Sequence, residues 1–238
     1  MGKVGTLTRQ EASEQRVVGM MVGRELDRSA FSAPENLGDV LLDVRNLSGE
    51  RFRDVSFQLR RGEILGFSGL VGAGRSEVAR AIFGADPHTA GEILFDGRAV
   101  RFRSPQDAIR AGVAMVQEDR KVLSLFMNMT INDNMTLAEL PFMHHGITSD
   151  RTERQLSEKM VRQLDIRLAS LEDPVSSLSG GNQQKTVLGR WLATHPKLLI
   201  LDEPTHGVDV GAKSGDLRLD SQPRQRGHGC HVDLIGIA

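Results

Sequence analysis

The chain has 238 residues, a formal net charge of -1 and 26% charged residues. That length suffices for one sizeable domain with an appendage, and the charge balance lacks the basic excess typical of nucleic-acid-binding proteins. No apolar run approaches the roughly 20 residues that a membrane-spanning helix needs, so we expect any link to a membrane to pass through a partner. Cys230 is the single cysteine, which excludes a disulfide framework and favours a reducing compartment.

The first half of the chain is expected to open with a charged helical segment at 9–27 and a linker at 29–36, followed by short strands. Strands are predicted at 40–44, 52–59, 63–67, 92–97 and 99–102. The early ones are expected to pair as antiparallel hairpins. A helix at Pro105–Ala111, capped by Ser104, leads into a strand at Val113–Val116.

The second half is predominantly helical until one last apolar strand. Residues 119–177 read as polar and helical, with the clearest amphipathic pattern at 151–164, and residues 181–194 read as a helix in which Trp191 serves packing. The apolar run that ends at Asp202 is typical of a buried parallel strand. We therefore predict an α/β fold with a mixed sheet that is antiparallel near its start and parallel at its centre.

A glycine-rich segment at 62–84 has the order strand, glycine loop, helix. Backbone N–H groups of such a loop point inward, and the helix that follows begins with unpaired N–H groups and a positive dipole end. This arrangement accommodates a phosphate. A structural glycine turn that merely opens a helix is an equally good interpretation of the segment taken alone.

The loop departs from the phosphate-loop consensus G-x-x-x-x-G-K-[ST] at one position. Arg75 stands where lysine is usual, between Gly74 and Ser76, and its planar fork is bulkier and spreads its charge. Phosphate binding is compatible with this change, whereas placement of a transferring phosphoryl group is less secure. The candidate nucleotide-binding residues here are Gly69, Val71, Gly72, Ala73, Gly74, Arg75, Ser76 and Glu77.

Two acidic residues end the apolar strand. Asp202, placed beside a glycine loop, can hold Mg²⁺ together with the Ser76 hydroxyl, which is the Walker B role. Glu203 then points toward the position of an attacking water, where its carboxylate can accept a proton, and it is our candidate catalytic residue. An acidic strand end leading into a turn remains an alternative for the Asp-Glu-Pro triplet taken alone.

A third motif lies between the loop and this strand: Leu178 is followed by Ser179, Gly180 and Gly181. In this order the three motifs resemble the ATP-binding-cassette family, and the segments GLVGAGRSE, LSGGNQQK and DEPTHGVDVGAK resemble the second cassette in the tandem ATP-binding subunits of bacterial ribose, galactose and xylose importers. The resemblance covers residues 4–213.

The resemblance implies a P-loop ATPase with an antiparallel β subdomain and a helical signature subdomain at 119–178. It implies ATP and Mg²⁺ as cofactors, with the helix start at Ser179 facing the nucleotide of an opposite cassette, either a tandem first cassette or a second copy. Transmembrane permease subunits would be direct partners and a periplasmic sugar-binding protein an indirect one, with no nucleic acid. The expected location is peripheral, at the cytoplasmic face of the inner membrane.

Further roles follow only from the family pattern. It assigns the Mg²⁺-sensing Q-loop position to Glu118, with Gln117 as the alternative, and the D-loop position to Asp209. No tyrosine is available to stack on adenine, and Phe52 is the nearest aromatic candidate, although a core role suits it equally well.

On the same resemblance, residues 1–38 would be the end of a preceding cassette and a linker, residues 39–213 the cassette, and residues 214–238 an aberrant tail. The tail does not follow the family pattern, and we hypothesise a frameshift near Lys213. We therefore expect an incomplete C-terminal part, with a central strand missing and an exposed sheet edge beside Asp202. A zinc site at His228, Cys230 and His231 is a weak alternative, because the spacing fits no common ligand pattern.

Three functions remain open. The chain is an ATP-hydrolysing subunit of a sugar importer, a cassette that binds nucleotide without turning it over because of Arg75, or an inactive truncated fragment.

Overall fold

The computed structural model describes residues 37–70, 72–117, 124–139 and 149–203, and the backbone alone of 233–237. Several predicted features lie outside these residues: the helix at 9–27, the linker, Val71, Glu118, Asp209 and the histidines and cysteine of the tail. The strands are β1 Val40–Ser48, β2 Val55–Arg60, β3 Ile64–Phe67, β4 Ala90–Phe95, β5 Arg98–Val100, β6 Val113–Val116, β7 Leu198–Asp202 and β8 Asp233–Ile237. The helices are α1 Arg75–Ile82, α2 Pro105–Ala111, α3 Ile131–Thr136, α4 Asp150–Gln163 and α5 Gly180–Ala193, with a 3-10 turn at Val175–Ser177.

An antiparallel sheet forms from the strands on either side of the glycine loop. Its order is β2, β1, β4, β5, and each neighbouring pair is antiparallel. Alternate residues of β1 and β4 point to opposite faces, and Leu42, Val44, Ile93 and Phe95 are buried. The predicted early hairpin strands are thus confirmed as one four-stranded sheet.

A parallel sheet forms the centre of the cassette-like part, in the order β3, β8, β7, β6. All five residues of β7 are buried, as expected for a parallel strand covered on both faces. The predicted mixture of antiparallel and parallel strands is therefore present, divided between two sheets. Within the parallel sheet, the glycine loop follows the carboxyl end of β3, and Asp202 is the last residue of β7.

The prediction that a central strand is missing beside Asp202 is wrong. Residues Asp233–Ile237 form β8 between β3 and β7, parallel to both, with Asp202 opposite Ile237. A position between two parallel strands offers backbone donors and acceptors on both sides, and pairing there satisfies main-chain groups whatever the side chains are. A short extended segment from the tail therefore fills the centre of the sheet, and the expected edge at β7 is covered.

Two hydrophobic cores lie on the two faces of the parallel sheet. Leu198 and Ile200 pack into the core that includes α1 and the antiparallel sheet, whereas Leu199 and Leu201 pack into the core formed with α3, α4 and α5. Trp191 contacts both cores, and its ring meets Phe83 edge-on with centroids 5.8 Å apart. The predicted packing role of this tryptophan is confirmed.

The helices follow the signals in the sequence. At α2, Ser104 accepts a hydrogen bond from the Asp107 N–H, as predicted for its cap. The predicted helices at 151–164 and 181–194 are confirmed as α4 and α5, each with a serine at the N-cap that accepts from the first turn. These caps satisfy orphan N–H groups at the helix starts.

Gly91 is the tightest glycine of the antiparallel sheet. Its φ is 92°, and an added Cβ would lie 2.5 Å from the Asn46 carbonyl oxygen and from the Leu47 Cα. We expect Gly91→Ala to lower the free energy of unfolding by about 2–3 kcal/mol, since backbone strain and a backbone clash act together. Urea unfolding measures this change.

Gly97 provides the matched control. Its φ is 73°, but an added Cβ would meet nothing within 4 Å. Gly97→Ala should therefore cost about 1 kcal/mol from backbone strain alone. If the two variants lost equal amounts of unfolding free energy, the close contact of Gly91 with the backbone of Asn46 and Leu47 would be contradicted.

Candidate functional site

The glycine loop joins the end of β3 to the start of α1 and depends on glycine at two described positions. Gly72 and Gly74 have φ values of 81° and 85°, in the left-handed region that favours glycine. A Cβ at Gly74 would lie 2.8 Å from the Arg51 carbonyl oxygen, whereas one at Gly72 would meet nothing within 4 Å. The end of the loop at Gly74 thus packs closely against the backbone of Arg51, whereas the space beside Gly72 is open.

The start of α1 lacks a side-chain cap. Gly74 occupies the N-cap position and has no side-chain oxygen with which to accept from the first turn. The helix is nevertheless fixed in place, because Val78, Ala79, Ala81 and Ile82 are buried. A rigid helix start with uncapped N–H groups is the backbone arrangement that binds phosphate and other anions.

Ser76 and Asp202 meet across the site. The Ser76 hydroxyl, in the first turn of α1, donates a hydrogen bond of 3.0 Å to Oδ1 of Asp202, the last residue of β7. Asp202 is 4% exposed. Residues 126 positions apart in the sequence are therefore brought into contact at the end of the parallel sheet.

The two side chains offer oxygen atoms of the kind that Mg²⁺ prefers. Mg²⁺ is commonly held by one or two carboxylates together with phosphate oxygens and waters, not by a cage made of protein alone. The described part of the chain contains no group of three or more His, Cys, Asp or Glu side chains placed to hold a metal. The pair fits a metal whose remaining ligands come from a phosphate.

Arg75 and Glu203 form a second contact in the site. One Nη atom of Arg75 lies 3.7 Å from Oε1 of Glu203, and the two side chains are 13% and 35% exposed. Glu203 has a φ of 42°, a strained value for a residue other than glycine. The other terminal nitrogen, Nη1, is buried and has no hydrogen-bond partner among the described residues. The arginine in the lysine position thus contacts the acidic residue after β7 and keeps an unused donor.

A family model described as "ABC transporter" matches residues 52–206. The chain belongs to the ABC transporter family. The match includes the loop, the Leu-Ser-Gly-Gly motif and the Asp202-Glu203 pair.

Curated relatives of this ABC protein are sugar import proteins. It is 49% identical to the ribose import ATP-binding protein RbsA 3 of Rubrobacter xylanophilus over 228 residues, which is 95% of this chain and 46% of the relative. It is 46% identical to the ribose import ATP-binding protein RbsA of Bacillus cereus, covering 88% of this chain and 43% of the relative. The chain therefore spans less than half the length of these relatives.

Solved structures with a similar fold are cassettes of other ABC proteins. A dimeric ATP-binding cassette in a post-hydrolysis state, bound to ADP and Pi, superposes with a TM-score of 0.65 at 20% identity, over 83% of this chain and 88% of that chain. The cbiO1 protein of Clostridium perfringens gives a TM-score of 0.61 at 19% identity, over 84% of this chain and 78% of that chain. These likenesses show the cassette fold.

The Leu-Ser-Gly-Gly motif of this ABC protein lies at the start of α5. Ser179 is the exposed N-cap, and its hydroxyl accepts from the backbone N–H of Asn182 at 3.5 Å and from its side-chain amide at 3.1 Å. Gly180 and Gly181 form the first turn. Among the described helices and strands, the most extensive contacts of α5 are with α3, α4 and β6, and the hydrogen bonds of the Ser179 hydroxyl stay within its own first turn.

The remaining predicted site residues lie at the rim. Glu77 pairs with Arg51 at 3.6 Å, and the Ala73 N–H donates to the Leu70 carbonyl at 3.0 Å, so this N–H closes a turn within the loop. Gln117, the Q-loop alternative, follows β6 and is half-buried.

Phe52 lies in the core, 8% exposed. A Cβ at Gly49 would lie 2.5 Å from its ring. This burial favours the packing role of Phe52 over the stacking role considered from the sequence.

Arg190 is a buried charge for which no role was predicted from the sequence. It lies on α5, is 5% exposed, and donates to the carbonyl oxygens of Ser124 and Asn134 and to Oδ1 of Asn134. Burial lowers its pKa to about 10, so the guanidinium stays charged at pH 7. The position of an arginine between the apolar residues Val187, Leu188 and Leu192 of α5 was the available signal.

No helix within the described ranges combines the length and the apolarity required to cross a membrane.

Proposed function

We propose that this chain is part of the ATP-binding subunit of a carbohydrate ABC importer, with Mg-ATP held at the end of its parallel sheet. The contact between Ser76 and Asp202, beside an uncapped glycine-loop helix, carries the proposal. The names of the relatives, which are ribose import ATP-binding proteins, support the carbohydrate class. The particular sugar is a property of other subunits.

In this proposal the phosphates lie over the backbone of residues 69–74 and the first turn of α1. Ser76 and Asp202 supply oxygen ligands to Mg²⁺, and Glu118 is the proposed Q-loop contact to the metal. Mg²⁺, when bound, neutralises phosphate charge and orients the terminal phosphate. Glu203 is the proposed general base, whose carboxylate orients a water and accepts its proton.

A second candidate function is nucleotide binding without appreciable hydrolysis. The specific observation in its favour is the contact between Arg75 and Glu203, which engages the proposed base with the residue that replaces the usual lysine. In that case the helix start at Ser179, Gly180 and Gly181, together with Asp209, would contact the nucleotide that another cassette binds.

The proposed partners follow from the family. A second cassette, either a tandem first cassette or another copy of this chain, closes the site, and permease subunits dock on the helical region that follows β6. The proposed location is the cytoplasmic face of the membrane. The chain spans 46% of the length of the Rubrobacter relative, which supports the view that it is about half of a two-cassette subunit.

Calorimetric titration of the full chain with Mg-ATP, together with a phosphate-release assay, tests the proposal. We expect saturable, Mg²⁺-dependent binding. Phosphate release would support the importer ATPase, and binding without release would support the second candidate. Absence of saturable binding would overturn both and leave an inactive fragment as the explanation.

A further inference from the structure

Arg75 has more donor capacity than the described site uses. A guanidinium presents five N–H donors in a fixed fork. One terminal nitrogen of Arg75 approaches Oε1 of Glu203 at 3.7 Å, an ion pair too long for a hydrogen bond, while Nη1 is buried and meets no hydrogen-bond partner in the part of the chain that the structure describes. A buried, unpaired cationic donor is costly, so the site gains free energy from an anionic acceptor placed there.

The surroundings of Arg75 restrict where it can turn. Its neighbours across the small cavity beside α1 are apolar: Phe57, Phe67, Val78 and Ile200. On this side the arginine therefore has apolar neighbours, and its described ion pair is with Glu203. An anion bound over the loop and the Glu203 carboxylate would thus draw on the same cation.

We propose that Arg75 is a positioning residue that holds the Glu203 carboxylate when no nucleotide is bound, and that triphosphate and Glu203 compete for its guanidinium. The inference rests on the proposed function, because it requires phosphate over the glycine loop. Nucleotide binding then releases Glu203, and the cost of breaking the pair lowers the affinity for nucleotide. A lysine at this position would present a compact point charge to the triphosphate and to the Glu203 carboxylate, in place of the planar fork of donors that arginine presents.

The test is calorimetric titration of the full chain with Mg²⁺ and the non-hydrolysable probe adenosine 5′-(β,γ-imido)triphosphate. We expect Glu203→Gln to bind this probe about threefold to fivefold more tightly than the original chain, because a partly exposed pair is of modest strength. Because this probe is not hydrolysed, the titration measures binding alone.

Simple charge repulsion also predicts tighter binding by Glu203→Gln, so two further variants separate the explanations. Glu203→Asp keeps the charge but shortens the side chain, so competition predicts a gain in affinity whereas repulsion predicts none. In an Arg75→Gln background, competition predicts that the gain from Glu203→Gln falls to about 1.5-fold or less. Repulsion predicts the same gain in both backgrounds.

Asp86→Asn is the matched control. Asp86 pairs with Arg80 of α1 at 2.8 Å, and its replacement removes one carboxylate from an arginine pair outside the site. Unchanged probe affinity in this variant and a gain in Glu203→Asp would support the proposal. If the original chain binds the probe but Glu203→Asp shows no gain, the inference is overturned and the proposed function stands. If neither the original chain nor Glu203→Gln binds the probe, both fail.

Discussion

Replacing Asp202 with asparagine is expected to abolish most of the Mg²⁺ dependence of nucleotide binding. Asp202 ends a fully buried strand and accepts the Ser76 hydroxyl at 3.0 Å, and the replacement keeps its shape while removing the charge that holds a divalent cation. We expect the affinity for Mg-ATP to fall at least tenfold, or about 1.4 kcal/mol. Titration with and without EDTA measures the effect.

Asp43→Asn is the control for this change. Asp43 is also a largely buried strand aspartate, 8% exposed, and it pairs with Arg45 on β1. Its replacement should leave nucleotide affinity unchanged. If Asp202→Asn retained the full enhancement by Mg²⁺ while folded, the assignment of Asp202 as a metal ligand would be wrong.

Replacing Arg190 with methionine should produce the largest loss of stability. The guanidinium is buried and donates to two backbone carbonyls and a side-chain oxygen, which ties α5 to α3 and to the segment at Ser124. Methionine fills much of the volume but removes the donor from the two carbonyl oxygens, at roughly 1–3 kcal/mol each, whereas Oδ1 of Asn134 keeps its hydrogen bond from the Phe126 N–H. We expect the free energy of unfolding to fall by about 3 kcal/mol or more, measured by urea unfolding.

An exposed arginine on α4, the helix next to α5, provides the comparison. Arg154 lies on α4, where its side chain is 56% exposed and pairs with Glu158 and Glu172. Arg154→Met should change stability by less than about 1 kcal/mol, as is usual for exposed ion pairs. Equal effects at the two positions would contradict a structural role for the buried guanidinium.

Local sequence signals predicted the elements that place the site. The apolar run before Asp202 gave the correct strand because a parallel strand buried on both faces needs no polar alternation. Ser104 and Ser179 marked helix starts because their hydroxyls accept from the first turn. These signals involve only residues that are close in sequence, so they can be recognised without knowledge of the fold.

Contacts between distant residues could not be predicted in the same way. The tail segment that became β8 has no local pattern that specifies insertion between β3 and β7; its place depends on backbone pairing with both. The pairing of Arg75 with Glu203 also depends on how α1 meets the end of β7. For Arg190, the buried positions around it on α5 could have indicated a buried charge, but its partners could not be predicted, because they are mostly backbone carbonyls far along the chain.

The most direct test of the account is a crystal structure of the full chain grown with Mg²⁺ and adenosine 5′-(β,γ-imido)triphosphate. We expect the triphosphate over the glycine loop and a Mg²⁺ ion about 2.1 Å from the Ser76 hydroxyl oxygen, with Asp202 beside it. A nucleotide bound elsewhere, or a metal remote from Ser76 while that hydroxyl still donates to Asp202, would contradict it.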